Sequence, residues 1–142
     1  MNPVFVFIFF LIASNTFGQR CYLNSEEIDL ENVFISRSSI DEIRVDGQKG
    51  EGYIITNRPV VFTTLSRLLK EHTEIDDSIN EVIYVIKNRL INDKSKVKID
   101  TAFFIRIDVK KFDKIIYIDE RHRNLILAEV ELFEEKPKPL RR

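Results

Sequence analysis

From Lys96 onward apolar residues recur at every second position, and that period sets the kind of structure this stretch of the chain can form. Phe103, Ile105, Ile107 and Val109 fall on one side of an extended chain, and Arg106, Asp108 and Lys110 on the other. IIYID (Ile115–Asp119) reads as a buried strand, and LILAEVELF (Leu125–Phe133) as another with Glu129 and Glu131 facing water. KKFDK and ERHRN between these runs read as turns, so the C-terminal region is expected to form a three-stranded antiparallel meander. EKPKPLRR, charged and broken by prolines, reads as a disordered tail over residues 135–142.

Upstream, Gln19 to Glu31 is polar and weakly patterned, and reads as an irregular lead-in. VFIS (Val33–Ser36), SIDEIRVD (Ser39–Asp46) and GYIITN (Gly52–Asn57) are β-rich, and the last two bracket the glycine-dense GQKGEG. That arrangement predicts a β-hairpin. A phosphate-cradling loop would lead into a helix whose terminal amides hold the anion, whereas this one leads into a strand.

Pro59 ends the second strand. Thr63 or Thr64 then caps a short helix through about Glu71 with Leu65, Leu68 and Leu69 on one face. SINE (Ser78–Glu81) has the form of a capping box, and Ile79, Val82, Ile83, Ile86 and Leu90 recur at helical spacing, which predicts a second helix over 79–91. VIYVI also suits a strand. The whole predicts an α+β fold in one domain, residues 19–134. It comprises an N-terminal β-hairpin, one or two central helices and the C-terminal meander. SSIDEIRVDGQKGEGYIITNR and TAFFIRIDVKKFDKIIYIDER are faintly alike, as amphipathic hairpins often are.

Val4 to Ala13 is an unbroken apolar run. As a helix it would reach about 15 Å, half of the ~30 Å hydrocarbon core of a bilayer, so it is too short to span. Followed by Ser14, Asn15 and Thr16, it reads as a secretory signal peptide, residues 1–18, with cleavage between Gly18 and Gln19. The chain is therefore expected to be exported, periplasmic or secreted, with no stable membrane insertion after cleavage. Arg20 stands before Cys21 where a lipoprotein signal needs a small residue, and one cysteine cannot form an intramolecular disulfide. Twenty-two basic and 23 acidic residues give a net charge of −1, without the basic excess of a nucleic-acid binder.

Candidate chemistry is sparse. The two histidines, His72 and His122, join no nucleophile or zinc motif, and DDSIN lacks the glycine of a calcium loop. No catalytic residue, metal site or cofactor is expected. Arg121, His122 and Arg123 place three donors in one expected turn, a candidate anion grip that His122 would make pH-dependent. The expected function is a non-catalytic binding module of the cell envelope, with a partner protein adding a strand to the edge of the meander. The alternative is a small extracytoplasmic ligand-binding or enzymatic domain with its anion at Arg121–Arg123.

SSIDEIRVDG…GYIITN resembles the closing hairpin of the plug domain of TonB-dependent outer-membrane receptors, in which an I-E-x-I-x-V strand, a glycine-containing loop and a G-x-I-x-I-x-T strand follow one another. EVIYVIKNRLINDKSKVKIDTAFFIRIDV is similar to the start of a plug, with Asn88-Arg89 where the plug has Asp-Gly and the two pieces in reversed order. FGQ before the expected cleavage is similar to the signal endings of exported proteins of Gram-negative bacteria. The resemblance implies a small exported αβ module attached to an envelope system, and in it YVIKNRLI would be strand–turn–strand.

Overall fold

Apolar and polar residues alternate in several stretches of the chain, and the structure turns those stretches into strands. The computed structural model describes residues 20–118 and 121–139, with the backbone alone for 113–118 and 121–124. The expected signal peptide and its cleavage site at Gly18 and Gln19 lie outside the described residues. Along the chain come β1 (Arg20–Leu23), β2 (Glu26–Ile28), β3 (Val33–Phe34), β4 (Ile40–Asp46), β5 (Glu51–Thr56), β6 (Phe62–Thr63), α1 (Leu65–Thr73), β7 (Glu81–Ile86), β8 (Arg89–Leu90), β9 (Lys98–Asp100), β10 (Phe104–Ile118) and β11 (Arg121–Phe133). The chain divides between Val60 and Val61 into two compact units.

In the N-terminal unit the sheet order is β2-β1-β5-β4. The glycine-dense loop closes the β4–β5 hairpin. Asp46 Oδ1 accepts from the amides of Gln48 and Lys49, and Gly50 takes the left-handed conformation (φ 64°) that the turn requires. The expected irregular lead-in is instead β1 and β2. β1 runs parallel to β5 with Cys21 opposite Gly52 and Leu23 opposite Ile54, and β2 returns antiparallel. Four residues of RCYL are too few to show a period, and β5 supplies the ladder that fixes them as a strand. The side chain of Asn24 locks the β1–β2 turn, donating to Thr56 Oγ1 at 2.6 Å and accepting from the Thr56 amide at 3.0 Å. Cys21, Leu23 and Ile54 are buried in this unit.

In the C-terminal unit β6 pairs with β9, and α1 begins at Thr64, whose hydroxyl accepts from the amide of Arg67 at 3.3 Å. Leu65, Leu68 and Leu69 are buried as their spacing requires, and Glu74 closes the helix in the left-handed conformation. The main sheet has the order β10-β11-β7-β8, with α1 lying against β10.

Two expectations fail here, so the fold is mostly β rather than α+β with one or two central helices and a meander. Residues 79–91 are strand–turn–strand. Tyr84 and Ile86 are 2% and 0% exposed, whereas Ile79 and Leu90, which the helix would have buried, are 70% and 57% exposed. The deciding partner is β11, which runs parallel to β7 and sets Val82, Tyr84 and Ile86 beside Ile126, Ala128 and Val130. The residues read as a capping box close a turn instead: Ser78 donates through N and Oγ to Asp76 Oδ1, at 2.9 and 2.6 Å.

The meander fails for a different reason. KKFDK is not a turn; β10 runs through it as one strand, with an irregularity where Phe112 opposite Leu125 gives way to Ile116 opposite Arg123. No glycine or proline interrupts that stretch, and a bulge absorbs the extra residues more readily than a reversal would. The third strand is therefore β7, parallel to β11 and distant in sequence.

Lys87 and Asn88, the two residues between β7 and β8, both have positive φ (50° and 61°), the pattern of a type I′ hairpin turn. Replacing them with Asn-Gly is expected to stabilise the chain by about 0.5–1 kcal/mol, read as a raised urea midpoint at unchanged slope. A helix at 79–91 would respond to that change with a loss of stability.

Candidate functional site

Arg121, His122 and Arg123 are the first three residues of β11, opposite Ile118, Tyr117 and Ile116 in the ladder. They are strand positions and not the turn that the expected anion grip requires, and their side chains lie outside the described ones. His72 is engaged with its own helix, with Nδ1 3.0 Å from the Leu68 carbonyl oxygen. Cys21 is buried, which pushes its thiol up to about 11. Among the described residues no three His, Cys, Asp or Glu side chains gather as metal ligands would.

Sequence reasoning misses a polar knot around Asp77, whose side chain is 8% exposed. Its Oδ2 accepts from Ser66 Oγ at 2.6 Å, from Tyr84 Oη at 2.6 Å and from Lys94 Nζ at 2.8 Å. One carboxylate thus ties α1, β7 and the turn that holds Lys94. Burial opposes its ionisation, and the donors with the Lys94 charge overcome that, so Asp77 ionises below the ordinary aspartate value of 3.8. Burial and the facing carboxylate raise Tyr84. Three donors on one oxygen join three elements of this unit, and a carboxylate that ionises this readily is a weak base for the Ser66 hydroxyl.

In the N-terminal unit Tyr22, Tyr53 and Arg44 form one row across β1, β5 and β4. The two rings stack with centroids 5.4 Å apart and planes 16° from parallel. They line an open cavity of about 760 Å³ together with Asn24, Asp46 and Ile55. Most polar tips there are already engaged. Tyr53 Oη donates to Glu51, which lifts the phenol to about 12, while Arg44 grips Glu42 through Nε and Nη2 at 2.7 and 3.0 Å.

The third feature is backbone. Among the described residues β10 is the edge of its sheet, paired with β11 alone. The inner row is sealed on β11, where Ile126, Ala128 and Val130 are fully buried, but Ile105, Ile107 and Val109 on β10 are only half-buried. The apolar layer runs off the edge of the sheet. On the outer face Arg106 pairs with Glu131 at 2.7 Å and its guanidinium lies 5.2 Å from the centre of the Phe133 ring, whereas Asp108 stands opposite Glu129, a like-charged pair. Exposed Phe112 and Ile83 add apolar surface to that face.

No protein-family model, curated protein or solved structure matches this chain.

The Asp77 knot has a pH signature. A carboxylate whose folded value is depressed adds stability above its ordinary value of 3.8, and that contribution fades as pH falls from there through the folded value. Asp77→Asn is expected to cost roughly 1–3 kcal/mol at pH 7 and to flatten the acid limb of a stability–pH curve measured with urea. Wild-type and variant curves that stay parallel below pH 4 would contradict the assignment.

Proposed function

We propose that this chain is an exported, non-catalytic interaction module of the cell envelope that receives a strand from a partner along β10. The observation that carries this reading is the β10 edge. Phe104–Phe112 and Ile116–Ile118 pair with β11 on one side, no described strand pairs with the other, and the inner apolar row is half-covered. A strand laid against that edge would satisfy the outward amides and carbonyls and would extend the apolar layer. Lys110, Lys111 and the irregularity after Phe112 interrupt the edge, as charges and bulges do where indiscriminate pairing must be avoided. Such an edge favours a partner of matching pattern over general aggregation.

Export rests on the apolar run from Val4 to Ala13 and the small residues that follow it. Among the described residues no helix is long and apolar enough to cross a membrane. A second reading, a small ligand-binding domain, is favoured by one observation, the cavity beside the stacked Tyr22 and Tyr53. Its engaged polar tips leave it fewer free donors than a recognition site ordinarily offers, so the edge is preferred.

Two outcomes are expected. Material recovered from a Gram-negative export host should begin at Gln19 by mass spectrometry; cytosolic protein retaining Met1 would end the export proposal. A photo-crosslinking residue placed at Lys110 in that host should form a covalent adduct in at least about fivefold higher yield than one at Gln48 in the N-terminal unit's hairpin loop. Equal yields at both positions would remove the edge from consideration.

A further inference from the structure

The geometry points to a second copy of this chain as an occupant of the β10 edge, the two β10 strands running antiparallel about a two-fold axis at Val109. This rests on the strand-accepting reading and names its partner.

The charge pattern selects both the partner and the register. Outer-face positions of β10 read Arg106, Asp108, Lys110, Phe112, and inner-face positions Ile105, Ile107, Val109, Lys111. In an antiparallel pair centred on one residue, the residue one step ahead of the centre faces the residue one step behind it on the copy. With Val109 on the axis, Asp108 faces Lys110 of the second copy, and symmetry repeats that pair. Arg106 keeps its own Glu131 and lies opposite the exposed Phe112 of the second copy, so no like charges meet there. An axis at Asp108 sets that carboxylate against itself and Arg106 against Lys110. An axis at Lys110 opposes two ammonium groups. An axis at Ile107 sets Asp108 against an Arg106 whose charge Glu131 already balances, and it leaves Lys110 opposite Phe104 with no carboxylate.

Two observations within one protomer support the Val109 register. Asp108 lies across from Glu129, and no ion pair joins Asp108 or Lys110 to another described residue. Like charges directly opposite each other destabilise a sheet, and Lys110 of a second copy on the free side of β10 offsets that. The inner row is half-buried at Ile105, Ile107 and Val109, and in this register Val109 meets Val109 of the second copy while Ile107 meets the aliphatic stem of its Lys111. Exposed ion pairs contribute little energy, so their work here is to choose the register, and the association is expected to be weak.

Two experiments test this. Opposite residues of an antiparallel pair have Cα atoms about 4.5–5.5 Å apart, inside the span of a disulfide. Val109→Cys in a Cys21→Ala background should therefore oxidise to a covalent dimer at least about tenfold faster than Ile107→Cys, whose thiols would stand about 14 Å apart along the strands. Sedimentation of the chain with Cys21 intact should show a concentration-dependent dimer. Asp108→Lys should weaken it about tenfold, and Asp108→Lys/Lys110→Asp should restore it to within about threefold, with circular dichroism confirming the fold of each. Equal oxidation rates, or a dimer indifferent to Asp108→Lys, would overturn the self-pairing. If the chain is monomeric while the Lys110 photo-adduct carries a protein of different mass, self-pairing falls and the strand-accepting reading stands. If neither adduct nor dimer forms, both fall.

Discussion

The backbone of β11 must be paired along both edges, and the C-terminal unit is arranged around that requirement. β10 supplies one ladder and β7 the other, antiparallel and parallel respectively. With both edges closed, the inner row of Ile126, Ala128 and Val130 is removed from water almost completely. Farther from the centre of the sheet the pairing is incomplete. β8 covers the end of β7 through Val85 and Ile86, whereas among the described residues no strand pairs with the far side of β10. The open edge is the consequence of using β10 to close β11. The Asp77 knot serves the arrangement from another direction, fastening α1 to β7 through a carboxylate that neither helix nor strand could satisfy by itself.

How much of this is legible in the sequence depends on whether the deciding partner is near or far along the chain. Thr64 with Leu65, Leu68 and Leu69 specifies a capped amphipathic helix from local chemistry, and α1 is that helix. Gly47 to Gly52 specifies a turn, and β4 and β5 flank it. VIYVI is different, because helical and strand spacings share Val82 and Ile86, and only the row presented by β11, some 40 residues later, separates them. β1 and β2 are invisible for a related reason: too short to show a period, they are strands because β5 lies beside them. KKFDK misleads because its polarity suggests a reversal, where a long strand with an irregularity serves as well.

Sites are less legible than elements. Ser66, Asp77, Tyr84 and Lys94 have no motif spacing, and each has an innocent local explanation in a helix start, a strand or a turn. Only the fold brings them to one oxygen. Arg121, His122 and Arg123 present the opposite case: adjacency makes them conspicuous, and a strand is a poorer place than a turn for three adjacent donors to converge. The β10 edge is expected from sequence as a feature of a meander. It belongs instead to a mixed sheet, and its alternation of Arg106, Asp108 and Lys110 acquires meaning only once that side of the strand is known to be open. In the proposed role, unpaired backbone is the functional group, and side-chain charge is its selector.

Amide hydrogen exchange, resolved residue by residue along β10 and β11 in dilute and concentrated solution, tests that role most directly. In dilute solution alternate amides of Ile105–Lys111 are expected to exchange fast while those of Ile126–Val130 are protected throughout. At high concentration the fast set should slow. Uniformly slow exchange along Ile105–Lys111 in dilute solution would show the edge to be already closed and would contradict an open, strand-accepting β10.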